Sequence, residues 1–500
     1  MKRFLALMLC LCFALGGCAQ SADAPRPAEG GVLPMPEPVA SVPVPAADAP
    51  DGAADFDSLA LRLAALPQLP EQPDESALWE AMNGKSAEEQ NKLWDDFSRR
   101  QAAYYDAVRA LRGDGVEAML TPSFAAYTLQ TAQQLLRGAS EENAVYSPAN
   151  LYLALCMLAE TTGGTTRAQL LDLLGLADAE QARAASDSLW RALYNDSGTG
   201  KTLLANSLWL NDALDFRQET VDVLADAYHA STFRAPMGDK ATDEAVRAWI
   251  NENTNHLLEN AAGALQTDPD TLLLLISTLY FKGTWADQFE TFLTREDVFT
   301  AANGAEQKAE FMHQSKKGAY YRGAGFTAAP LPFLDGTSMW FLLPDEGVSL
   351  ESLWALVQDL PTLAVDTSEG CYELRDYASL ARQGYGEIHW SVPKFDVDSD
   401  LDLIPALEAL GVTDAFTDAA DFSPLTGLDA LVSAVKHAAR VKVDEEGCEA
   451  AAFTAVMAEA TSALVEPLPV VEMDLDRPFG FLITGAEGLP LFAGVVNTLE

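Results

Sequence analysis

Positive charge is scarce in this chain of 500 residues: 32 Lys and Arg stand against 74 Asp and Glu, a formal net charge of −42. A surface of that sign repels nucleic acid and anionic lipid headgroups, which removes both as partners and leaves solubility as the plain role of the excess. Histidine is scarcer still, with five residues: His229, His256, His313, His389 and His437. No two have the spacing of a zinc-binding helix, and His-Glu-x-x-His does not occur. The chain also lacks a phosphate loop, a dinucleotide Gly pattern and a Gly-x-Ser-x-Gly turn. Carboxylates are so abundant that isolated pairs carry no information. These absences point away from an enzyme and call for no cofactor and no metal, although a triad assembled from dispersed residues stays open as an alternative. Cysteine numbers six. Cys10, Cys12 and Cys18 fall in the first eighteen residues, leaving Cys156, Cys371 and Cys448, an odd and widely spaced trio that builds no disulfide framework. Cys156, in "LALCMLAE", reads as a small buried hydrophobe.

What is present begins with "MKRFLALMLCLCFALGGCAQ". Lys2 and Arg3 precede an apolar run too short to span a membrane, and the run closes on Leu-Gly-Gly-Cys. This resembles a bacterial lipoprotein signal at 1–17, with cleavage before Cys18 and acylation of its thiol; a plain signal peptide is the other reading. Several acyl chains give stable membrane anchoring. Ala19 is not the Asp of an inner-membrane retention signal, so an outward-facing place on the outer membrane is expected if the host has one. Residues 18–50 form a tether, with eight prolines between Ser21 and Pro50. Residues 51–120 show helical spacing through Trp79, Met82, Leu93, Trp94, Phe97, Tyr104, Tyr105, Val108 and Leu111, and read as a helical extension that packs on the main domain or stands as a small module.

From about 121 the chain carries helices first and strands later. Ser147 caps a dense apolar helix with Pro148 in its first turn. Thr166 and Gln169 stand in capping-box relation before a Gly175 stop. A further helix is expected to start at Thr242. "KTLLANSLWLN" reads as a strand, and "TLLLLISTLYFKGTW" as a central strand buried on both sides. "GFTAAPLPF", "SMWFLLP", "GEIHWSVPKFDV" and "ALVSAVKHAARVKVDEE" are further strands, "DLIPALEALGV" is a short helix, and "RPFGFLITGAEGLPLFAGVV" closes the chain as a hairpin. This order predicts an α+β fold.

The stretch 445–467, "EEGCEAAAFTAVMAEATSALVEP", is long and bland. Read as extended chain, Ala450, Ala452, Thr454, Val456, Ala458 and Ala460 share one face, all small or β-branched and uncharged. Glu449, Phe453, Met457 and Glu459 fall on the other. Its alanines equally tolerate a helix, so the segment is either a surface helix or loop, or a loop able to enter a sheet.

Residues 121–500 resemble the serpins, the serine protease inhibitors. The likeness is carried, in family order, by "NAVYSPANLYLALCMLAETTGGTTRAQLLDLLG", "LLANSLWL", "STLYFKGTWADQFETFLTREDVF", "SMWFLLP", "VPKFDVDSDLDLIPALEALGVTDAF", "ADFSPLTG", "VKHAARVKVDEEGCEAAAFTA", "RPFGFLI" and "LFAGVV". The resemblance implies three β-sheets with about nine helices, and an exposed reactive loop at about 445–470. A target protease cleaves that loop, which then inserts into the central sheet and carries the acylated enzyme with it. Glu445, Glu446 and Gly447 match the family hinge, Cys448 stands where Thr is usual, and Glu449, Ala450, Ala451, Ala452 and Thr454 agree. Phe453 departs from a small residue, and its parity puts it on the outward face. Counting from the hinge puts the cleaved bond at Thr461–Ser462, with Ala463–Leu464 and Leu464–Val465 as alternatives. No Lys or Arg occurs from Cys448 to Asp476, so trypsin-like targets are disfavoured; elastase-, subtilisin- or chymotrypsin-like serine proteases fit, and papain-like cysteine proteases are a further option. The family's sheet-opening cluster falls on Ser147, Asn150, Ser277 and His437. Asn150 stands where Ser is usual and Ser277 where Asn is usual, which suggests a reciprocal exchange of amide and hydroxyl. Trp285 matches the Trp beneath the loop-entry point. The expected protein is a monomeric, lipid-anchored protease inhibitor; a non-inhibitory surface binding protein of the same fold is the alternative.

Overall fold

The computed structural model describes residues 56–499, apart from 113–119, 138–140, 197–199, 259–264, 358–382, 449–467 and scattered single or paired positions. Cys18 and the tether lie outside the described residues. So do Glu449, Ala450, Ala451, Ala452, Phe453 and Thr454 of the hinge, and the bond candidates Thr461, Ser462, Ala463, Leu464 and Val465.

Local chemistry starts the helices, and tertiary contacts correct two of the sequence-based expectations. The extension supplies α1 (Glu75–Met82) and α2 (Ala87–Arg112), followed by α3 (Leu120–Leu135). In α4 (Pro148–Thr161) the Ser147 hydroxyl accepts the Asn150 N–H at 3.1 Å, and Pro148 occupies a first-turn position that needs no N–H. Every residue of α4 except Ala154 is buried, as a helix apolar all round must be. The capping box expected for α5 (Gly164–Leu174) does not form: the helix starts two residues before Thr166. The Thr166 hydroxyl instead accepts the Asp421 N–H, and Gln169 Oε1 accepts the N–H groups of Thr413 and Asp414. A distant loop has outbid the local cap. Gly175 does end α5, in the left-handed region at φ 69°. Then come α6 (Ala179–Leu193), α7 (Gln218–Ala227) and α8 (Lys240–Asn253). α8 begins at Lys240 rather than Thr242, whose hydroxyl donates to the Pro236 carbonyl. Short helices α9 (Leu350–Leu356) and α10 (Ile404–Ala409) fall among the later strands.

The first sheet runs β1 (Ala60–Arg62), β5 (Ala230–Ala235), β4 (Gly200–Asn211), β6 (Leu273–Thr284), β14 (Gly447–Cys448), β13 (Lys436–Val443), β12 (Phe395–Asp402), with β3 (Asn195–Asp196) on β4. The second runs β15 (Val470–Asp474), β11 (Gln383–Pro393), β8 (Glu306–Arg322), β9 (Phe326–Pro332), β10 (Ser338–Pro344), β16 (Phe479–Thr484), β17 (Pro490–Val496), β2 (Ala144–Tyr146), with β7 (Arg295–Thr300) on β8. The fold is α+β, as expected. Three sheets were expected and the described residues form two hydrogen-bonded ones. The reason is β8, whose 17 residues reach from β11, paired over 311–321, to β9 at Tyr321 and Arg322, and so join two sheets into one.

β6 also departs from expectation. Its second half is buried, with Leu279, Tyr280 and Phe281 at 4–6% exposure, but 273–277 are only half-buried. One edge pairs with β4 throughout 273–283. Among the described residues the other edge pairs only at Gly283 and Thr284.

The extension packs against the rim of the first sheet. β1 pairs antiparallel with β5, and Phe56 meets Phe233 edge-on at 6.1 Å. Arg62 pairs with Asp222 and Asp226 of α7, and the buried Tyr104 of α2 donates to the Asn195 side chain at 3.4 Å.

Candidate functional site

β14 is two residues long and antiparallel to strands on both sides: Gly447 pairs with Thr284, and Cys448 with Gly283 and Val443. β6 and β13 therefore run parallel to each other, one strand-width from contact, a gap of roughly 10 Å at ordinary sheet spacing. Past Cys448, the facing edges at 273–282 of β6 and 436–442 of β13 have no strand partner among the described residues. Among the described residues the sheet thus has a strand-wide slot. Its floor is apolar, with Phe281 and Leu279 from one wall and Val441 and Ala439 from the other, all buried.

Close approach selects the residues at the slot's mouth. A Cβ on Gly447 would lie 2.0 Å from the Gly283 carbonyl oxygen, and one on Gly283 would lie 2.7 Å from the Phe333 ring. Only glycine fits either place. Cys448 was expected in the hinge of an exposed loop; the structure puts it inside the sheet at 3% exposure. A small uncharged thiol meets no penalty there, whereas a charged side chain would.

The chain entering the slot is held by Trp285. Its backbone N–H donates to the Glu446 carbonyl at 3.0 Å and its Nε1 donates to the Asp444 carbonyl at 2.9 Å. Its ring stacks on Phe333 with centroids 4.3 Å apart. Glu445 accepts from the Thr294 hydroxyl at 2.9 Å and pairs with Lys394 at 3.2 Å. Partial burial works to raise the Glu445 carboxyl, but its hydrogen bonds and the Lys394 charge outweigh that and hold it below the usual range. Thr294 and Lys394 stand about 150 and 50 positions before the stretch they hold, and nothing local in the sequence flags them. Gly283 did carry a signal, since a glycine inside a strand marks a close backbone approach.

Further along the slot, four of the predicted residues meet. The Ser147 N–H donates to His437 Nε2 at 2.9 Å, and the Tyr146 ring lies edge-on to the imidazole. Asn150 Nδ2 donates to the Ser277 carbonyl at 2.8 Å, while the Ser277 hydroxyl donates to Asn150 Oδ1. The exchanged amide and hydroxyl thus bond to each other across α4 and β6. His437 belongs to β13, so the cluster ties both walls of the slot to the start of α4. Burial pushes the His437 pKa down to about 4, which leaves a neutral ring able to accept the Ser147 N–H.

A family model described as serpin (serine protease inhibitor) matches residues 123–499. The chain belongs to the serpin family. Serpin-ZX of Arabidopsis thaliana is 29% identical over 370 residues, covering 71% of this chain and 91% of that protein. Serpin-ZXA of Oryza sativa subsp. japonica is 31% identical over 380 residues, with 72% and 92% covered. Among solved structures, the thermophilic serpin tengpin in its native state superposes with a TM-score of 0.66 at 27% identity, over 77% of this chain and 96% of tengpin. The slot between β6 and β13 is accordingly a feature of a serpin's central sheet. Family membership supports protease inhibition rather than catalysis as this serpin's general activity, and α1, α2 and β1 precede the matched residues.

Proposed function

We propose that this serpin traps a serine protease as a suicide substrate. The protease's own nucleophile attacks a bond within 461–465, Thr461–Ser462 by counting from the hinge, and forms an acyl-enzyme. The chain beginning at Cys448 then fills the slot. One observation carries this reading: β14 already stands between β6 and β13, with the rest of the segment next in sequence.

Continuing that register sets Ala450 between Phe281 and Val441, Ala452 between Leu279 and Ala439, and Thr454 between Ser277 and His437. The small face of the segment would lie over the apolar floor and end at the polar cluster. Phe453 would come beside Thr278, which is 3% exposed, so the face assigned to it as outward is not open to water there, and its bulk slows insertion. A dozen inserted residues span roughly 40 Å, enough to carry a bound enzyme across the domain. New backbone bonds on both edges supply the driving force.

Absence of Lys and Arg from 448 to 476 favours elastase-, subtilisin- or chymotrypsin-like targets, with papain-like enzymes second. Acylated Cys18 and the Pro-rich tether would hold the inhibitor as a monomer on the outer face of the cell envelope; the Leu-Gly-Gly-Cys motif supports this part. Incubation with a panel of these proteases tests the reading. The expected result is an SDS-stable complex, a released C-terminal fragment whose mass fixes the bond, and a nicked form that melts well above the intact one. Nicking that gives neither complex nor stabilisation supports the non-inhibitory binding module instead.

A further inference from the structure

Charged side chains cross the first sheet at one level, strand by strand. The register pairs Asp196 of β3 with Lys201 of β4, and Lys201 with Lys282 of β6; beyond the slot it pairs Lys442 of β13 with Asp396 of β12. Cross-strand partners share a face, so the row lies on one side of the sheet. Lys201 is neutralised by Asp196 at 3.0 Å, and Asp396 is held by two nitrogens of Arg440 at 2.8 and 2.7 Å. Lys282 and Lys442 have no ion-pair or hydrogen-bond partner among the described residues. They flank the slot.

β14 stops one residue short of this level. Cys448 pairs with Gly283 on one side and Val443 on the other, so the next slot position is bounded by Lys282 and Lys442. Two lysines thus flank this position, with Lys201 beside Lys282 and no acid between them among the described residues. Like charges so placed oppose sheet formation, and opposite charges favour it by similar amounts. An acid in the slot at this level would stand between the two lysines as an opposite-charge neighbour to both. The next residue in the chain is Glu449. Two positions further along the same face the flanks are Tyr280 and Arg440, and Arg440 is already engaged by Asp396. The charge pattern therefore distinguishes the first inserting residue from the next one on that face, Ala451.

We propose that Lys282 and Lys442 form a carboxylate clamp that receives Glu449 and sets the rate at which the cleaved segment begins to enter the slot. Both are positioning residues for insertion, and the inference rests on the insertion reading given above.

Full-length protein carrying Glu449→Gln, Glu449→Lys, or Lys282→Glu with Lys442→Glu is nicked with an elastase-like protease that cuts within 461–465. The rate at which the nicked protein gains heat stability is then followed at low and high salt. Glu449→Gln is expected to insert roughly three- to tenfold more slowly than wild type at low salt, and Glu449→Lys more slowly still. Combining Glu449→Lys with the two Lys→Glu changes restores much of the rate. Salt slows wild type and does not slow Glu449→Gln. Insertion of Glu449→Gln at the wild-type rate overturns the clamp, as does a charge-swapped protein no faster than its parents. Glu449→Gln alters no described contact, so it decides the matter even if the lysine variants fail to fold. The two levels separate cleanly: wild type that gains no stability on nicking sinks insertion itself, whereas wild type that inserts regardless of charge sinks only the clamp.

Discussion

His437 accepts a proton-bearing amide, so protonating it would set donor against donor in a site 6% exposed. Its folded pKa is pushed down to about 4 by burial, below the unfolded value of about 6.5. The unfolded chain therefore binds the proton first as pH falls. The stability this ring contributes is complete above about pH 6.5, declines between there and pH 4, and is down by about 2 kcal/mol at pH 5. Melting curves across that window should show the decline in wild type. His437→Gln keeps an acceptor for the Ser147 N–H and titrates nowhere in the range, so it should flatten the curve; an equally steep fall in the variant places the acid sensitivity elsewhere. The neighbouring pair obeys a different logic. Asn150→Ser leaves the Ser277 groups short of partners and should cost about 1–3 kcal/mol. Adding Ser277→Asn restores the inventory with the two groups exchanged, and should recover much of that loss. Strict additivity in the double-mutant cycle would show that the two residues do not act as one unit.

At the level of elements, what could be read from the sequence was whatever is decided locally. Ser147 and Pro148 start α4, the dense apolar run buries it, and "RPFGFLITGAEGLPLFAGVV" closes as the β16–β17 hairpin. What could not be read was decided by partners far along the chain. Thr166 and Gln169 have the spacing of a cap, yet Asp421, Thr413 and Asp414 claim them. The length of β8, which merges two sheets, depends on which strands come to lie beside it. The slot is harder still, because it lies between edges of β6 and β13 that have no strand partner among the described residues, and pairing is a relation between segments some 160 residues apart. Residue identity did reveal the polar cluster, whose members were named through family likeness and which the structure brings together. The extension was left open between a separate module and part of the main domain. Tyr104, at 6% exposure and bonded to Asn195, argues for integration. Tyr104→Ala should cost about 3 kcal/mol, in line with other buried aromatics, and should lower a single unfolding transition of the whole domain. Appearance of a separate, earlier transition in calorimetry would mean that α1 and α2 fold on their own.

Over the whole molecule, a net charge of −42 sets two effects against each other. Self-repulsion among so many carboxylates opposes compaction, and screening relieves it. The melting temperature of the intact inhibitor should therefore rise as neutral salt increases from about 0.05 to 0.5 M, a range over which the screening length shrinks from roughly 14 to 4 Å. Insertion after cleavage should respond in the opposite sense, because its first step draws Glu449 towards two lysines whose attraction the same salt weakens. Stability up and insertion rate down, measured on one preparation, would be hard to obtain from a general effect of salt on the apolar core, since stronger effective burial favours the folded state and the inserted strand alike. A melting temperature that falls with salt would show that local ion pairs such as Arg183 with Glu160, at 2.7 Å, outweigh the long-range repulsion. An insertion rate that rises with salt would show that apolar burial of the alanine face, rather than charge at the slot's mouth, limits entry.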